Sequence, residues 1–342
     1  MKSPSNSSSV SLILTAFRQR DYVYEAVQSV LDQSVEDVDV VLSDDASQDG
    51  TFAEMQRAVR DYGGAKSVTL IEQPQNLGAD HLMACIEQAK GDIFVFFHGD
   101  DVSKPDRAKN SVEAMKRTGA TLVAVGGTLI DEEGLRKRPL FEVQNDERWR
   151  DPASSFEATT HMFHGACFTV ARELFDCFPR FGRAQGWGWT DVVFPFRAGL
   201  LGGAYFLDQD LVGVRALSTS LGNDRSDWSA AAASHRQMNL SHLLALRVAL
   251  YKDFQAHCER VDFSPELEAI DVKLREILLA KLSDWSVSHI ELMAAGFRPS
   301  WLDRKTIHER LKDQPSRLLR NKRTRRTLIE KVAARLRRAD LI

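Results

Sequence analysis

Two pairs of adjacent carboxylates stand out in the sequence, because each follows a short apolar run. Asp44 and Asp45 follow residues 38–42, and Asp100 and Asp101 follow residues 92–97 almost directly. Neighbouring carboxylates repel one another, so a cation or hydrogen-bond donors must offset the cost of holding them together. Mg²⁺ and similar ions bind one or two carboxylates together with phosphate oxygens, which indicates a site for a nucleotide diphosphate. Capping of the following turn or helix is the alternative for both pairs.

The elements that must position these carboxylates alternate between strands and helices. Apolar, β-rich runs occupy residues 10–16, 38–42, 68–71, 92–97 and 121–125, and helical periodicity occupies residues 21–31, 51–61, 79–90 and 105–118. This alternation predicts an α/β fold with a mainly parallel sheet covered by helices on both faces. Ligands of such sheets bind beyond the carboxyl ends of the strands, so we expect both acidic pairs at one crevice.

Changes in composition predict the domain boundaries. Residues 1–9 are rich in serine and are expected to be a flexible N-terminus. Residues 10–224 are expected to form the α/β domain, with one half at 10–126 and a more irregular half at 127–224. Residues 225–342 are largely helical by periodicity and are expected to form a C-terminal helical region. The first part of the irregular half is charged and rich in turn residues, which predicts an excursion from the sheet.

Composition excludes several classes of protein. The 342 residues are 43% hydrophobic and carry a net charge of -3, which suits a chain with a large core and gives no reason to expect a nucleic-acid partner. The four cysteines are far apart and lack zinc-site spacing, so reduced structural thiols are expected. No stretch approaches the ~20 apolar residues of a membrane span, and a cytoplasmic location is therefore expected.

Residues 317–342 form a basic tail with ten basic and two acidic side chains. Leu328, Val332 and Leu336 lie on one helical stripe among the arginines, which is typical of an amphipathic helix at an anionic membrane surface. A helix that binds a partner or joins two copies of the chain fits the same pattern, as does a solvated helix packed on Trp285 and its neighbours. Peripheral contact with the inner face of the membrane, a protein partner and a homo-oligomer therefore all stay open.

Five motifs occur in order in the first part of the chain: Leu12–Phe17, Ser29–Ser34, Ser43–Thr51, Asn76–Gly78, and Asp100–Asp101 followed by Pro105–Arg107. Together they resemble glycosyltransferase family 2, whose members have the GT-A fold with a Rossmann-like nucleotide-sugar domain. The resemblance covers residues 10–224, is strongest before Arg107 and is absent from the helical tail. It implies that residues 10–126 are a nucleotide-binding half and residues 127–224 an acceptor half.

The resemblance also implies how the donor is held. Four residues would bind the nucleobase, usually uracil: Thr15, Ala16, Phe17 and Asp45. Asp100 would contact the ribose, and Asp101 would coordinate Mn²⁺ or Mg²⁺ with help from Asp100. His98 stands where the family often has a further acid. Imidazole can bind Mn²⁺ but supplies less negative charge, which predicts a weaker or differently selective metal site that includes His98.

An inverting sugar transfer needs a general base that deprotonates the acceptor hydroxyl while the departing diphosphate is stabilised. The resemblance gives this role to Asp191, although Thr190 replaces the first acid of the family's usual doublet. Capping of the following helix is the alternative for Asp191. Trp187 and Trp189, just before it, can stack on an acceptor sugar or pack in the core.

Two more residues are candidates through the resemblance. His164 precedes Gly165–Thr169, which is similar to the strand beneath the family's acceptor site, so His164 would contact donor or acceptor. A purely structural histidine is the alternative. Arg215 resembles the family's late arginine near the diphosphate, with Leu217 where a histidine often follows. A salt bridge to a surface carboxylate is the alternative for Arg215.

Taken with the resemblance, these features predict an inverting glycosyltransferase that uses a nucleotide-sugar, with a UDP-sugar as the expected donor. The acceptor would be a glycan or a lipid-linked molecule in bacterial surface polysaccharide or glycoconjugate biosynthesis. A catalytically inactive scaffold that binds nucleotide-sugars is the competing hypothesis, because Thr190 and His98 depart from the family pattern. A nicotinamide-linked oxidoreductase is disfavoured, because residues 15–18 lack the glycine-rich fingerprint expected after the first strand.

Overall fold

Strands and helices alternate in the first part of the chain, from residue 10 to residue 98, in a computed structural model. The structure describes residues 9–141, 146–157, 164–180, 190–217, 246–247 and 249–283. Contacts divide the chain into two units. The first consists of residues 1–228 and 253–262, and the second of residues 229–252 and 263–342.

The first unit contains a ten-stranded sheet and seven labelled helices within the described residues. Up to the fourth helix these are β1 (Val10–Ala16), α1 (Val23–Leu31), β2 (Val38–Asp44), α2 (Thr51–Asp61), β3 (Ser67–Glu72), α3 (His81–Gln88), β4 (Ile93–His98), β5 (Val102–Ser103) and α4 (Arg107–Thr118). They are followed by β6 (Leu122–Ile130), β7 (Arg136–Pro139), β8 (Glu147–Trp149), α5 (Pro152–Glu157), β9 (Phe168–Ala171), α6 (Glu173–Asp176), α7 (Thr190–Leu200) and β10 (Ala204–Arg215). Single turns of 3₁₀ helix, Gly78–Asp80 and Gly165–Cys167, precede α3 and β9.

The order of the strands confirms the predicted α/β class. The main path of the sheet is β3-β2-β1-β4-β9-β6-β10-β5, with β7 beside β6 and β8 beside β10. The pairs from β3 to β4 and the pair β6–β10 are parallel, whereas β9 runs antiparallel between β4 and β6. Thr15 is in register with Ser43 on β2 and with His98 on β4, so three strands end together at one edge of the sheet.

Strands buried on both faces explain the unbroken apolar runs. Leu12 and Val95 belong to a core cluster that includes residues of α1, α2 and α4, so these helices pack on one face of the sheet. On the other face, the rings of Phe96 and Phe194 lie 5.9 Å apart, which packs α7 against β4. Alternation along each strand sends neighbouring side chains to opposite faces, so both faces needed apolar residues.

The predicted excursion after residue 125 is in part wrong. β6 continues to Ile130, and β7 and β8 add two short strands to the sheet. Gly126 and Gly127 are part of β6 because β10 approaches their backbone closely: a Cβ at either glycine would lie 2.8 Å from a carbonyl oxygen of Gln209 or Val212. The pair looks like a turn signal in the sequence, but here it permits a close strand contact.

A buried ion pair fixes α7, the helix whose first turn contains Asp191. The Arg197 guanidinium donates to both carboxylate oxygens of Asp253, at 2.7 and 3.2 Å. It also donates to the carbonyl oxygens of Leu174, at 3.0 Å, and Pro179, at 2.8 Å. Both charged side chains are almost fully buried, with exposed fractions of 1% and 6%. Arg197 thereby joins α7, α6 and the segment 253–262 within the first unit.

The second unit is described only in part, and the described residues are helical. Its longest described helix spans Pro265–Ser283, and the Tyr251 hydroxyl donates to the Asp271 carboxylate at 2.6 Å. Arg275 donates to the same carboxylate at 3.0 Å. No helix among the described residues combines the length and apolar character needed to cross a membrane. The basic tail, with its proposed membrane or partner role, lies outside the described residues.

We predict that Asp253→Ala lowers the free energy of unfolding by about 3–5 kcal/mol, because it leaves the Arg197 charge buried without its partner. Urea denaturation followed by tryptophan fluorescence measures the change. Glu54→Ala, which removes the exposed pair with Arg57, is the control and should cost no more than ~1 kcal/mol. Equal losses in the two variants would show that the buried pair does not fix α7 as described.

Candidate functional site

A cavity of about 240 Å³ lies at the strand ends, on the face of the sheet covered by α3. Thr15 and His98 line its floor, and His81 of α3 lines one wall. Gly165 and Thr190, from the turn before β9 and the start of α7, line the opposite side. The cavity therefore brings together residues from both halves of the predicted domain.

His98, Asp100 and Asp101 form the group that could hold a metal ion. Their potential ligand atoms all lie within 4.8 Å of one another, and His98 Nδ1 is 3.5 Å from an oxygen of Asp101. The chain turns tightly here, since a Cβ at Gly99 would lie 2.7 Å from the Ala16 Cβ atom. One imidazole and two carboxylates suit a divalent ion that keeps further positions for water or phosphate. Metal binding by His98 stays a prediction.

The pKa values of Asp100 and His98 are shifted by their surroundings. Burial and the neighbouring Asp101 charge raise the pKa of Asp100 to about 6. Burial lowers the pKa of His98, but its hydrogen bond to Asp101 and the charges of Asp101, Asp100 and Asp191 outweigh this, so its pKa is raised overall. A bound cation would relieve the repulsion between the carboxylates.

Arg215, the last residue of β10, forms hydrogen bonds with the loop that carries Asp100 and Asp101. Its backbone N–H donates to Asp101 at 2.8 Å, and its Nε donates to the Asp100 carbonyl oxygen at 3.0 Å. Nη1 donates to the carbonyl oxygens of Asp131 and Glu132, at 3.1 and 2.7 Å, and Nη2 to the Glu25 carboxylate at 2.9 Å. The side chain is 2% exposed.

This geometry argues against the predicted diphosphate contact of Arg215. Four of the five guanidinium hydrogens are directed at protein oxygens, so little donor capacity is left for a ligand. The alternative, a salt bridge to a surface carboxylate, describes the contact with Glu25, which is 62% exposed. Arg215 acts on the site by fixing the backbone that carries Asp100 and Asp101.

Asp45 is buried and has backbone partners. Its two carboxylate oxygens accept from the N–H groups of Leu77, at 2.7 Å, and Gly78, at 2.9 Å. Asp44 accepts from the backbone N–H of Ser47 at 3.0 Å and from the Ser47 hydroxyl. Both acids organise turns beside the cavity, as the alternative interpretation expected, and the contact of Asp45 with a nucleobase stays a prediction.

The other predicted base-binding residues differ in how they could reach a ligand. Thr15 lines the cavity. The Ala16 side chain is buried in the core, and its carbonyl oxygen accepts from the Asp45 N–H at 2.9 Å. Phe17 is 41% exposed, and the Arg18 guanidinium lies 5.1 Å from the centre of its ring. For Ala16, therefore, only the backbone atoms and not the side chain could contact a ligand.

Asp191 lies in the first turn of α7 and faces the turn that begins with His164. A Cβ at Gly165 would lie only 2.8 Å from the Asp191 Oδ1 atom, so glycine is required for this approach. The rings of His98 and His164 lie 6.4 Å apart, and His164 Nδ1 accepts from the Ala166 N–H at 3.4 Å. The structure thus places Asp191 and His164 on the side of the cavity next to the metal-binding group.

Sequence reasoning missed one polar residue of the cavity. His81 lines the cavity but carried no predicted role, whereas Gly165 lies in the segment that the resemblance places beneath the acceptor site. The signal for His81 was a polar residue on the buried side of a helix, four positions before the buried Cys85. Trp187 and Trp189 lie outside the described residues, and their contact with an acceptor stays a prediction.

Comparison with known proteins supports the resemblance to one family. Residues 11–178 match the model of Glycosyl transferase family 2, which confirms the resemblance predicted from the motifs. EpsE and TuaG of Bacillus subtilis strain 168 are 32% and 30% identical over 131 residues, which are 37% and 36% of this chain. Both are provisionally named as glycosyltransferases, TuaG in teichuronic acid biosynthesis. The aligned part spans about half of these relatives, 46% and 51% of their lengths.

A third relative and a solved structure are also similar to this chain. The succinoglycan biosynthesis protein ExoO of Rhizobium meliloti strain 1021 is 28% identical over 136 residues, 40% of this chain and 38% of ExoO. The crystal structure of S. aureus TarS 1-349 in complex with UDP-GlcNAc aligns with a TM-score of 0.51 and 13% identity. The alignment covers 84% of this chain and 83% of that chain, which supports the predicted fold class.

We predict that Arg215→Lys weakens Mn²⁺ binding by about 10- to 100-fold, the usual cost of losing a group that orients metal ligands. A single ammonium group cannot reach the Asp100 carbonyl, the two carbonyls of residues 131 and 132, and Glu25 together. Isothermal titration calorimetry measures the affinity, with Asp101→Ala as the variant expected to lose binding. Arg57→Lys, on an exposed helix pair, is the control. Unchanged Mn²⁺ affinity in a folded Arg215→Lys protein would refute the role of Arg215.

Proposed function

We propose that this chain, whose residues 11–178 form a glycosyl transferase family 2 domain, is an inverting glycosyltransferase that uses a nucleotide-sugar. One observation carries the proposal: residues of the possible metal-binding group and of the turn that carries Asp191 lie beside the same cavity. His98 and Thr190 both line that cavity, and the Asp191 charge acts on the pKa of His98. A phosphate-binding ion and a candidate base beside one cavity would suit attack on an anomeric carbon next to a diphosphate.

The donor would bind with its diphosphate at the acidic loop. A divalent ion bound by Asp101, Asp100 and His98 would neutralise the diphosphate and stabilise it as a leaving group. The nucleoside would extend along the strand ends towards Thr15, Phe17 and Asp45. We propose a UDP-sugar as the donor because of the uracil contacts that the family resemblance implies for these residues.

Asp191 would deprotonate the acceptor hydroxyl as that oxygen attacks the anomeric carbon from the side opposite the diphosphate. The new glycosidic bond forms as the bond to the diphosphate oxygen breaks, so the anomeric configuration inverts. Asp191 lies in the first turn of α7, so its backbone is held by a regular element. The Gly165 backbone, in contact with Asp191, leaves room for an acceptor to approach.

The acceptor would be a sugar of a growing surface polysaccharide or a lipid-linked glycan. TuaG and ExoO are named for the biosynthesis of teichuronic acid and succinoglycan, which supports a polysaccharide route. The irregular second half, including Trp187 and Trp189, would recognise this acceptor. Peripheral contact with a membrane through the basic tail is compatible with a lipid-linked acceptor.

We predict that Asp191→Asn lowers donor turnover by roughly 10²- to 10⁴-fold, the usual contribution of a general base. The amide keeps the shape of the side chain but cannot take the proton, so UDP affinity with Mn²⁺ should stay the same. Released nucleotide measures turnover, and calorimetry measures UDP binding. If the unaltered chain binds UDP but hydrolyses or transfers none of the common UDP-, GDP- and dTDP-sugars, the inactive scaffold is the better explanation.

We predict that Gly165→Ala lowers turnover by up to ~10²-fold, because the added methyl group must displace the Asp191 carboxylate and small misplacements of a catalytic group are costly. The control is Gly63→Ala, since a Cβ at Gly63 meets no atom within 4 Å. Both variants are compared by turnover and by melting temperature. Full activity of a stable Gly165→Ala protein would argue against Asp191 as the base.

A further inference from the structure

We propose that His81 recognises the base of the bound nucleotide by donating a hydrogen bond from Nδ1 to the carbonyl oxygen at position 4 of a pyrimidine. The inference rests on the proposed function, because it takes the ligand to be a nucleoside diphosphate sugar. His81 would be a specificity-determining residue that selects uracil over cytosine. No part of the catalytic proposal uses this side chain.

His81 is a buried polar group beside an open cavity. It is the first residue of α3, is 5% exposed and lines the cavity. Its Nε2 atom lies 2.8 Å from the Ser43 hydroxyl oxygen. Among the described residues, no group forms a hydrogen bond with Nδ1. Nδ1 is not one of the fully enclosed atoms that lack a partner, so water or a ligand in the cavity can bond with it.

The surroundings of Ser43 determine which nitrogen of His81 carries the proton. Ser43 is fully buried, and its hydroxyl oxygen accepts from Gln73 Nε2 at 3.2 Å. Its own proton can go to His81 Nε2 or to the Cys85 sulfur, which is also hydrogen-bonded to Ser43. Sulfur is the weaker acceptor, so the proton goes to Nε2. In the neutral ring the remaining proton is then on Nδ1, which makes Nδ1 a donor.

The neutral form of His81 is the one that this site favours. Burial lowers the pKa of His81, and the charges of Asp45 and Asp44 oppose this shift only in part. A neutral imidazole keeps one donor and one acceptor, whereas the charged ring would have two donors and no lone pair for the Ser43 proton. The hydrogen-bond geometry and the burial therefore agree on the same state.

The position of His81 matches the base end of a bound nucleotide. Ser43, Thr15 and His98 occupy paired positions on β2, β1 and β4, which are adjacent strands. With strands ~4.8 Å apart, Ser43 and the His81 ring bonded to it lie roughly 10 Å along the sheet from His98. A nucleotide with its diphosphate at the metal-binding group would extend its base, beyond the ribose, towards His81. Leu82 and Phe96 line the same cavity and give a flat ring apolar surface.

A donor at this position distinguishes two bases that are otherwise alike. Uracil has an acceptor oxygen at position 4, whereas cytosine has an amino group there, so with cytosine two donors would face each other. Leaving a buried donor unpaired costs about 1–3 kcal/mol, which corresponds to roughly 5- to 150-fold in affinity. The chain should therefore bind UDP at least about tenfold more tightly than CDP.

The experiment compares UDP and CDP binding in the presence of Mn²⁺ by isothermal titration calorimetry, using the full chain and three variants. His81→Ala should lose most of the preference for UDP, through weaker UDP binding rather than stronger CDP binding. His81→Gln should keep part of the preference, because its amide can still donate. His257→Gln is the matched control, since His257 is a buried histidine that stacks on Phe178 and does not line the cavity.

Melting temperatures show whether each variant is folded. Loss of the UDP preference in a folded His81→Ala protein, with the preference intact in His257→Gln, would support the proposal. Equal binding of UDP and CDP by the unaltered chain, or an unchanged preference in His81→Ala, would overturn this inference alone. Failure of both nucleotides to bind with Mn²⁺ would overturn the proposed function together with it.

Discussion

The site depends on one buried cation, the Arg215 guanidinium, whose donors are directed at protein oxygens and not into the cavity. Five carboxylates, Asp44, Asp45, Asp100, Asp101 and Asp191, lie on or near the same edge of the sheet, and their mutual repulsion opposes the fold. Arg215 offsets part of this repulsion because its guanidinium and its backbone N–H both hold the loop of Asp100 and Asp101. The other acids near the strand ends are stabilised by backbone N–H groups, as Asp45 is by Leu77 and Gly78. The charge that remains is concentrated at the metal-binding group, where a ligand can use it.

Other arginines of the first unit also donate to backbone carbonyl oxygens. Arg148 and Arg172, like Arg215, donate to backbone carbonyl oxygens at the ends of elements, and Arg197 adds a carboxylate partner. A buried guanidinium can satisfy several carbonyl groups at once because its donors have fixed directions. In an irregular half with short strands and single helical turns, such contacts take the place of long ladders of backbone hydrogen bonds. Arginines thus hold together parts of the first unit that are distant in the chain.

Periodicity was enough to predict the alternating strands and helices up to α4, because these segments are amphipathic or continuously apolar. The strand ends followed from the same pattern, which is why His98, Asp100 and Asp101 could be grouped in advance. Three features depend on contacts between residues distant in the chain and could not be predicted in this way. Gly126 and Gly127 lie in a strand that β10 approaches closely, and Arg215 uses four of its five guanidinium hydrogens because three other segments meet around it. One ring nitrogen of His81 is bonded to Ser43, on a neighbouring strand.

The place of β9 in the sheet has a consequence for how the chain is made. β9 fills the gap between β4 and β6, although it follows β6 by almost forty residues, with strands β7 and β8 in between. Until residue 171 has left the ribosome, β4 and β6 each present an edge without its final partner. Unpaired edges of apolar strands are prone to associate with other chains. Residues 10–126 therefore leave strand edges unpaired until β9 is added, and a nascent chain that stalls before β9 would expose them.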